Sequence, residues 1–124
     1  MQDLPSPVDF NRFAEIRDLL GEETCSLYEE FFSEIPEHLE SLHRSIHSRQ
    51  FQIVEETAHS LSGSSGSIGA MYVEKVARGL ERRAHGENFS DAGRVLLRLE
   101  VEIARLRHFL EKRGLIPENS DLAA

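Results

Sequence analysis

The sequence predicts an all-α fold, an antiparallel four-helix bundle with an additional short N-terminal helix. Three observations carry this. Apolar residues recur at three- and four-residue steps through four long segments, the spacing that lays one stripe of a helix on a core. The connections between those segments are short, which makes neighbouring helices antiparallel. No stretch alternates apolar and polar residues over the length of a strand, and neither a Gly-x-Gly-x-x-Gly nor a Walker phosphate loop occurs.

Residues 1–8 hold two prolines and no periodicity, so they are expected to form a loose lead-in. Asp9 is placed as the N-cap of a short helix carrying Phe10, Phe13, Ile16, Leu19 and Leu20, stopped by Gly21 and acting as a lid on the bundle. The second helix is expected over 22–48, with Tyr28, Phe31, Ile35, Leu39, Leu42 and Ile46 on its buried side. Pro36 lies inside it and removes one backbone hydrogen bond; because the apolar spacing stays in phase across the proline, a bend is expected rather than a break.

A third helix is expected over 52–67 and a fourth over 70–85, the latter burying Val73, Val76, Ala77, Leu80 and Ala84. Residues 86–89 make a turn, and Ser90 is the expected N-cap of a last helix reaching about residue 113. Ala92, Leu96, Leu99, Ile103, Leu106 and Leu110 give that helix a regular alternation of four- and three-residue steps. Gly114 ends it and Pro117 follows, so 115–124 is expected to fray.

A chain of 124 residues forms one domain with one modest core, so 1–124 is read as a single unit. Its 40% hydrophobic and 29% charged residues are those of an ordinary soluble globular domain. A formal net charge of −8, with acids interleaved among the bases, argues against an electrostatic grip on nucleic acid or anionic lipid. The N-terminus lacks a basic-then-apolar leader and no apolar run spans a bilayer, so the expected location is the cytoplasm. The lone Cys25 cannot form an internal disulfide, in keeping with a reducing compartment. The initiating methionine and compact size point to a free-standing protein, and a monomer is expected.

The third segment carries the chemistry. On a helical projection Ile53, Val54, Thr57, Ala58, Leu61 and Ile68 share one apolar sector, and His59 lies roughly opposite it. Glu55 and Glu56 sit one turn before the histidine, and Ser62, Gly63 and Gly66 after it. Seven of the eight residues from Ser62 to Gly69 are glycine or serine, which is costly in a helix, at about 1 kcal/mol for each glycine relative to alanine. Close helix packing accounts for part of that. Gly63 and Gly66 project on the histidine side, where short residues clear the surface for a visiting molecule.

These residues resemble the histidine-containing phosphotransfer (HPt) domains of multistep two-component phosphorelays. The family pattern of histidine, any residue, leucine, lysine, glycine and a small residue reads here His59, Ser60, Leu61, Ser62, Gly63 and Ser64, with Ile68, Gly69 and Ala70 following. The resemblance covers roughly 9–112 and includes Leu80 and Glu81 on the next helix; Ser62 stands where the family usually has lysine. It implies that His59 is the phosphorylated residue, accepting a phosphoryl group from a receiver-domain aspartate and passing it to another receiver. It implies no resident cofactor, magnesium being held by the receiver, and no ATP-dependent kinase activity. Glu55 or Glu56 is then expected to orient the ring, Ser62 to reach a phosphoryl oxygen, and Arg78 or Arg82 to supply the missing positive charge. An exposed neutral imidazole is a competent nucleophile near neutral pH.

The rival reading is a scaffold bundle that docks a receiver or kinase without carrying phosphate. His43 and His47 have a metal-gripping spacing of four, but no third ligand is evident and a solvated face is expected. Cys25 is expected to pack, and one phenyl of Phe31 and Phe32 to face the core. His38, His85 and His108 carry no readable pattern.

Overall fold

The computed structural model describes residues 5–118; residues 1–4 and 119–124, which include the outer parts of both expected loose ends, lie outside the described residues. The elements are α1 (Phe10–Leu20), a 3-10 turn (Gly21–Glu23), α2 (Thr24–His47), α3 (Phe51–Ser67), α4 (Met71–His85) and α5 (Ala92–Lys112). Helices α2 to α5 pack in a ring, α2 on α3, α3 on α4, α4 on α5 and α5 back on α2. This is the expected four-helix bundle. Helix α1 lies across α2, with Phe13 edge-on to Phe109 of α5 at 5.5 Å between ring centres.

Asp9 caps α1 as expected, its carboxylate accepting from the amides of Asn11 and Arg12. Only Phe13 and Ile16 of α1 are buried, and Leu19 is 79% exposed, because a lid one helix thick buries a single narrow stripe. Helix α2 runs unbroken through Pro36, which faces solvent while Phe32 and Ile35 beside it are buried. Both Phe31 and Phe32 are core residues, meeting edge-to-face at 5.2 Å.

In α3 the buried residues are Val54, Ala58, Leu61, Ser62 and Ser65, whereas Ile53 is 40% exposed. The buried stripe is therefore turned toward the serines, away from the apolar sector that hydropathy alone selects. Small side chains at Ala58, Ser62 and Ser65 on α3, and at Ala77 and Ala84 on α4, let these two helices form the most extensive pairing in the bundle. Leu61 and Leu80, both fully buried, each gain about 2 kcal/mol from leaving water, which offsets the helix cost of the nearby glycines.

Two further expectations are corrected, and one buried residue had no expectation attached to it. Ser90 does not cap α5: its amide binds the Asn88 side chain, and Asp91 takes the cap position while its carboxylate receives Arg83 at 2.7 Å. The described parts of the two ends are not loose. Val8 is fully buried with its amide on Ser6 Oγ, and Leu115 and Ile116 are buried after a turn in which the Leu115 amide reaches the Leu110 carbonyl. Apolar side chains at the ends cover the bundle mouth that the helices leave open. Finally, Glu102, passed over in the heptad pattern, is 2% exposed and held between Arg98 at 3.0 Å and Arg105 at 2.7 Å.

The junction after α3 is tied down from two sides. Gly69 has φ +78°, and a Cβ there would come 3.1 Å from Arg12 Cγ, so glycine is required on both counts. The Asp9 amide donates to the Gly69 carbonyl at 2.9 Å, and the Arg12 guanidinium donates to the Ser67 carbonyl at the C-terminal end of α3. From α2, the buried Tyr28 hydroxyl donates to the Ile68 carbonyl at 3.1 Å. Burial pushes the Tyr28 phenol up to about 12, against the lowering influence of Arg12 and Arg17. Its folded value is raised, so its contribution is complete below the unfolded value of about 10 and is lost as pH climbs toward 12. Tyr28→Phe is expected to cost about 1–2 kcal/mol at neutral pH and to remove that alkaline loss. Urea denaturation of both proteins at pH 7 and above pH 10 checks it; an unchanged midpoint at pH 7 contradicts the role given to this hydroxyl.

Candidate functional site

His59 stands on the outer side of α3, with its side chain 75% exposed. The phase of the helix puts it there: Ala58, Leu61 and Ser62 turn inward, leaving position 59 on the solvent side. Its Nδ1 lies 2.8 Å from Glu81 Oε2 on α4. A carboxylate can only accept, so this bond puts the ring proton on Nδ1 and leaves Nε2 with a free lone pair facing out.

The orienting carboxylate is thus Glu81, and neither Glu55 nor Glu56 does this work. Glu55 Oε2 meets His85 Nδ1 at 2.9 Å, and Glu56 accepts from Gln52 Nε2 at 3.3 Å. The reason is geometric. A carboxylate one turn away on the same helix must reach along the axis, whereas the antiparallel pairing of α3 and α4 sets Glu81 level with His59. The two crossed pairs, His59 with Glu81 and Glu55 with His85, stitch the helices together. Glu81 follows the buried Leu80, and the phase of α4 laid antiparallel on α3 is the signal that could have found it.

The short residues after His59 divide into three kinds. Ser62 is 4% exposed and its Oγ donates to the His59 carbonyl at 2.9 Å, so its hydroxyl is turned into its own helix and is not presented to a phosphoryl group, contrary to expectation. Gly66 makes room for an internal group, since a Cβ there would lie 2.9 Å from Glu74 Oε2. Gly63 has nothing within 4 Å of where its Cβ would stand. Of the two glycines read as clearing the surface, only Gly63 opens onto free space.

The imidazole separates two hollows of opposite character. On one side Gln52, Glu55, Glu56, Glu81, His85 and Glu87 line an acidic furrow. On the other, Ser62, Gly63, Arg78, Glu81 and Arg82 line a hollow of about 350 Å³. Among the described residues no group of three or more His, Cys, Asp or Glu side chains is gathered to hold a metal ion. His43 Nε2 instead meets Glu100 Oε2 at 3.3 Å. Nor, among the described residues, is any helix long and apolar enough to cross a membrane.

The model of the Hpt domain family matches residues 26–109 of this chain. Among solved structures, the chain is similar to the crystal structure of histidine-containing phosphotransfer protein B (HptB) from Pseudomonas aeruginosa PAO1, at a TM-score of 0.82 and 25% identity. That similarity covers 86% of this chain and 93% of the other. No curated protein sequence matches.

The His59 to Glu81 bond can be tested in the protein without any partner. The imidazole ¹⁵N spectrum is expected to report the Nδ1-protonated tautomer at a pH where the ring is neutral, and Glu81→Leu to return it toward the Nε2-protonated form. A wild-type ring already in the Nε2-protonated form contradicts this geometry.

Proposed function

This chain belongs to the Hpt domain family, whose function is histidine phosphotransfer in phosphorelays, and from that premise we propose that His59 is the residue that carries the phosphoryl group. The observation supporting this is the exposed ring with Nδ1 bonded to Glu81 and Nε2 free. Hpt proteins meet receiver domains, and the donor here is an aspartyl phosphate on such a domain. The Nε2 lone pair attacks phosphorus; an N–P bond forms as the P–O bond to the aspartate breaks, and the carboxylate leaves with the electron pair. The Nδ1 proton stays in place, so the phosphorylated ring is cationic. Glu81, 2.8 Å away, balances that charge as it develops. Passing the group to a second receiver runs the same steps in reverse.

The receiver contributes the magnesium ion and the acidic groups that hold it, so the carrier needs no resident cofactor. With no nucleotide-binding segment in the sequence, the protein neither hydrolyses ATP nor phosphorylates itself. It works as a cytoplasmic monomer that engages receivers and not nucleic acid. The receiver lies along the exposed stripe of Ile53, Glu56, Ser60, Gly63 and Ser67 beside His59, with Ile53 as the apolar contact within a polar surround.

Incubation with a phosphorylated receiver domain is expected to place an acid-labile label on the wild type and none on His59→Gln, while ATP with magnesium labels neither. A His59→Gln protein that still labels, or a wild type that no receiver labels, overturns the assignment; the second result favours the scaffold reading. Gly63→Leu is expected to slow transfer at least about tenfold by blocking approach, with the melting temperature no lower than wild type because the added Cβ meets nothing within 4 Å and leucine is the better helix former. Unchanged transfer in that variant removes Gly63 from the docking surface.

A further inference from the structure

We propose that Arg82, assisted by Arg78, forms the anion-binding side of the site and takes the phosphoryl oxygens once the group is on His59. This rests on the reading of His59 as the carrier. Glu81 occupies Nδ1, and a phosphoryl group on the outward Nε2 has the two hollows that His59 lines on either side of it. The furrow on one side presents Glu55, Glu56 and Glu87 and repels a dianion. The opposite hollow is lined by Arg78 and Arg82, with Glu81 the one carboxylate, already bonded to His59, and Gly63 leaves its floor empty.

The two arginines differ in what already holds them. Arg78 Nη2 is bonded to Glu74 Oε2 at 2.6 Å, and that carboxylate rests in the space left by Gly66, so Arg78 is anchored at the hollow's edge with part of its charge spent. Arg82 is exposed and has no carboxylate partner within ion-pair distance among the described residues. Its Nη2 rests along its own helix, 3.8 Å from where a Cβ on Gly79 would stand. A change of rotamer carries the guanidinium from there over the hollow, where its planar fork matches two phosphoryl oxygens. A local cationic pair thus exists in a chain whose net charge is −8.

The test is the equilibrium distribution of label between a receiver aspartate and His59, which does not depend on how fast the two proteins dock. The full chain is equilibrated with a phosphorylated receiver domain, both at concentrations well below their dissociation constant. Arg82→Ala is expected to lower the share of label on His59 relative to the receiver about three- to tenfold. Arg82→Lys should recover most of it, and Arg78→Ala should show a smaller loss. Raising the salt should narrow the difference between wild type and Arg82→Ala, since an exposed charge is screened. Circular dichroism of each variant confirms folding, and Arg82→Gln repeats the measurement with a longer polar side chain. A wild type labelled on His59 whose distribution is the same as that of Arg82→Ala and Arg82→Gln overturns this inference and leaves the carrier intact. A wild type that takes no label overturns the carrier reading, and this inference with it.

Discussion

The structure turns on how closely α3 and α4 approach. A carboxylate on one helix meets an imidazole on the other at 2.8 Å only because the residues between them are small. Ala58, Ser62 and Ser65 on α3 and Ala77 and Ala84 on α4 are the small buried residues of this pair, with Leu61 and Leu80 supplying the buried apolar area. A larger residue at Ala58 or Ala77, both fully buried, would push the helices apart and carry Glu81 away from the ring. The same constraint explains why a helix so rich in glycine and serine is stable: its order comes from the neighbours it packs on, and its own propensity contributes little.

That pairing also needs its end fixed. The turn between α3 and α4 is held by the Tyr28 hydroxyl from α2, the Asp9 amide and the Arg12 guanidinium, all landing on carbonyls of residues 67–69. Helix α1 is therefore more than a lid over the core. By capping the C-terminal end of α3 it contributes to the register in which His59 and Glu81 face each other.

Charge is arranged around His59 in a way that the total conceals. The chain is strongly acidic, yet one side of the imidazole is lined by glutamates and the other by two arginines, with Glu81 shared between the two. The imidazole lies on the boundary, with one nitrogen committed to a carboxylate and the other free. In the proposed carrier role, a ring made cationic by phosphorylation would have Glu81 beside it and the anionic phosphoryl group would have the arginines within reach.

The helix periods, the Asp9 cap, the stop at Gly21 and the passage of α2 through Pro36 could all be read in the sequence, because each depends on residues within a turn of one another. So could the outward position of His59, since a strong apolar phase fixes the opposite face as well. Tertiary structure decided what was nonlocal: that Glu81 and not Glu55 or Glu56 meets the ring, that Ser62 is turned inward, that Gly66 accommodates Glu74 while Gly63 opens to solvent, and that Val8, Leu115 and Ile116 close the ends. A one-dimensional pattern gives the angle of each residue about its own helix. The axial level of one helix against its neighbour, and which of several carboxylates then falls within hydrogen-bond distance, is set by side-chain packing between segments distant in the chain.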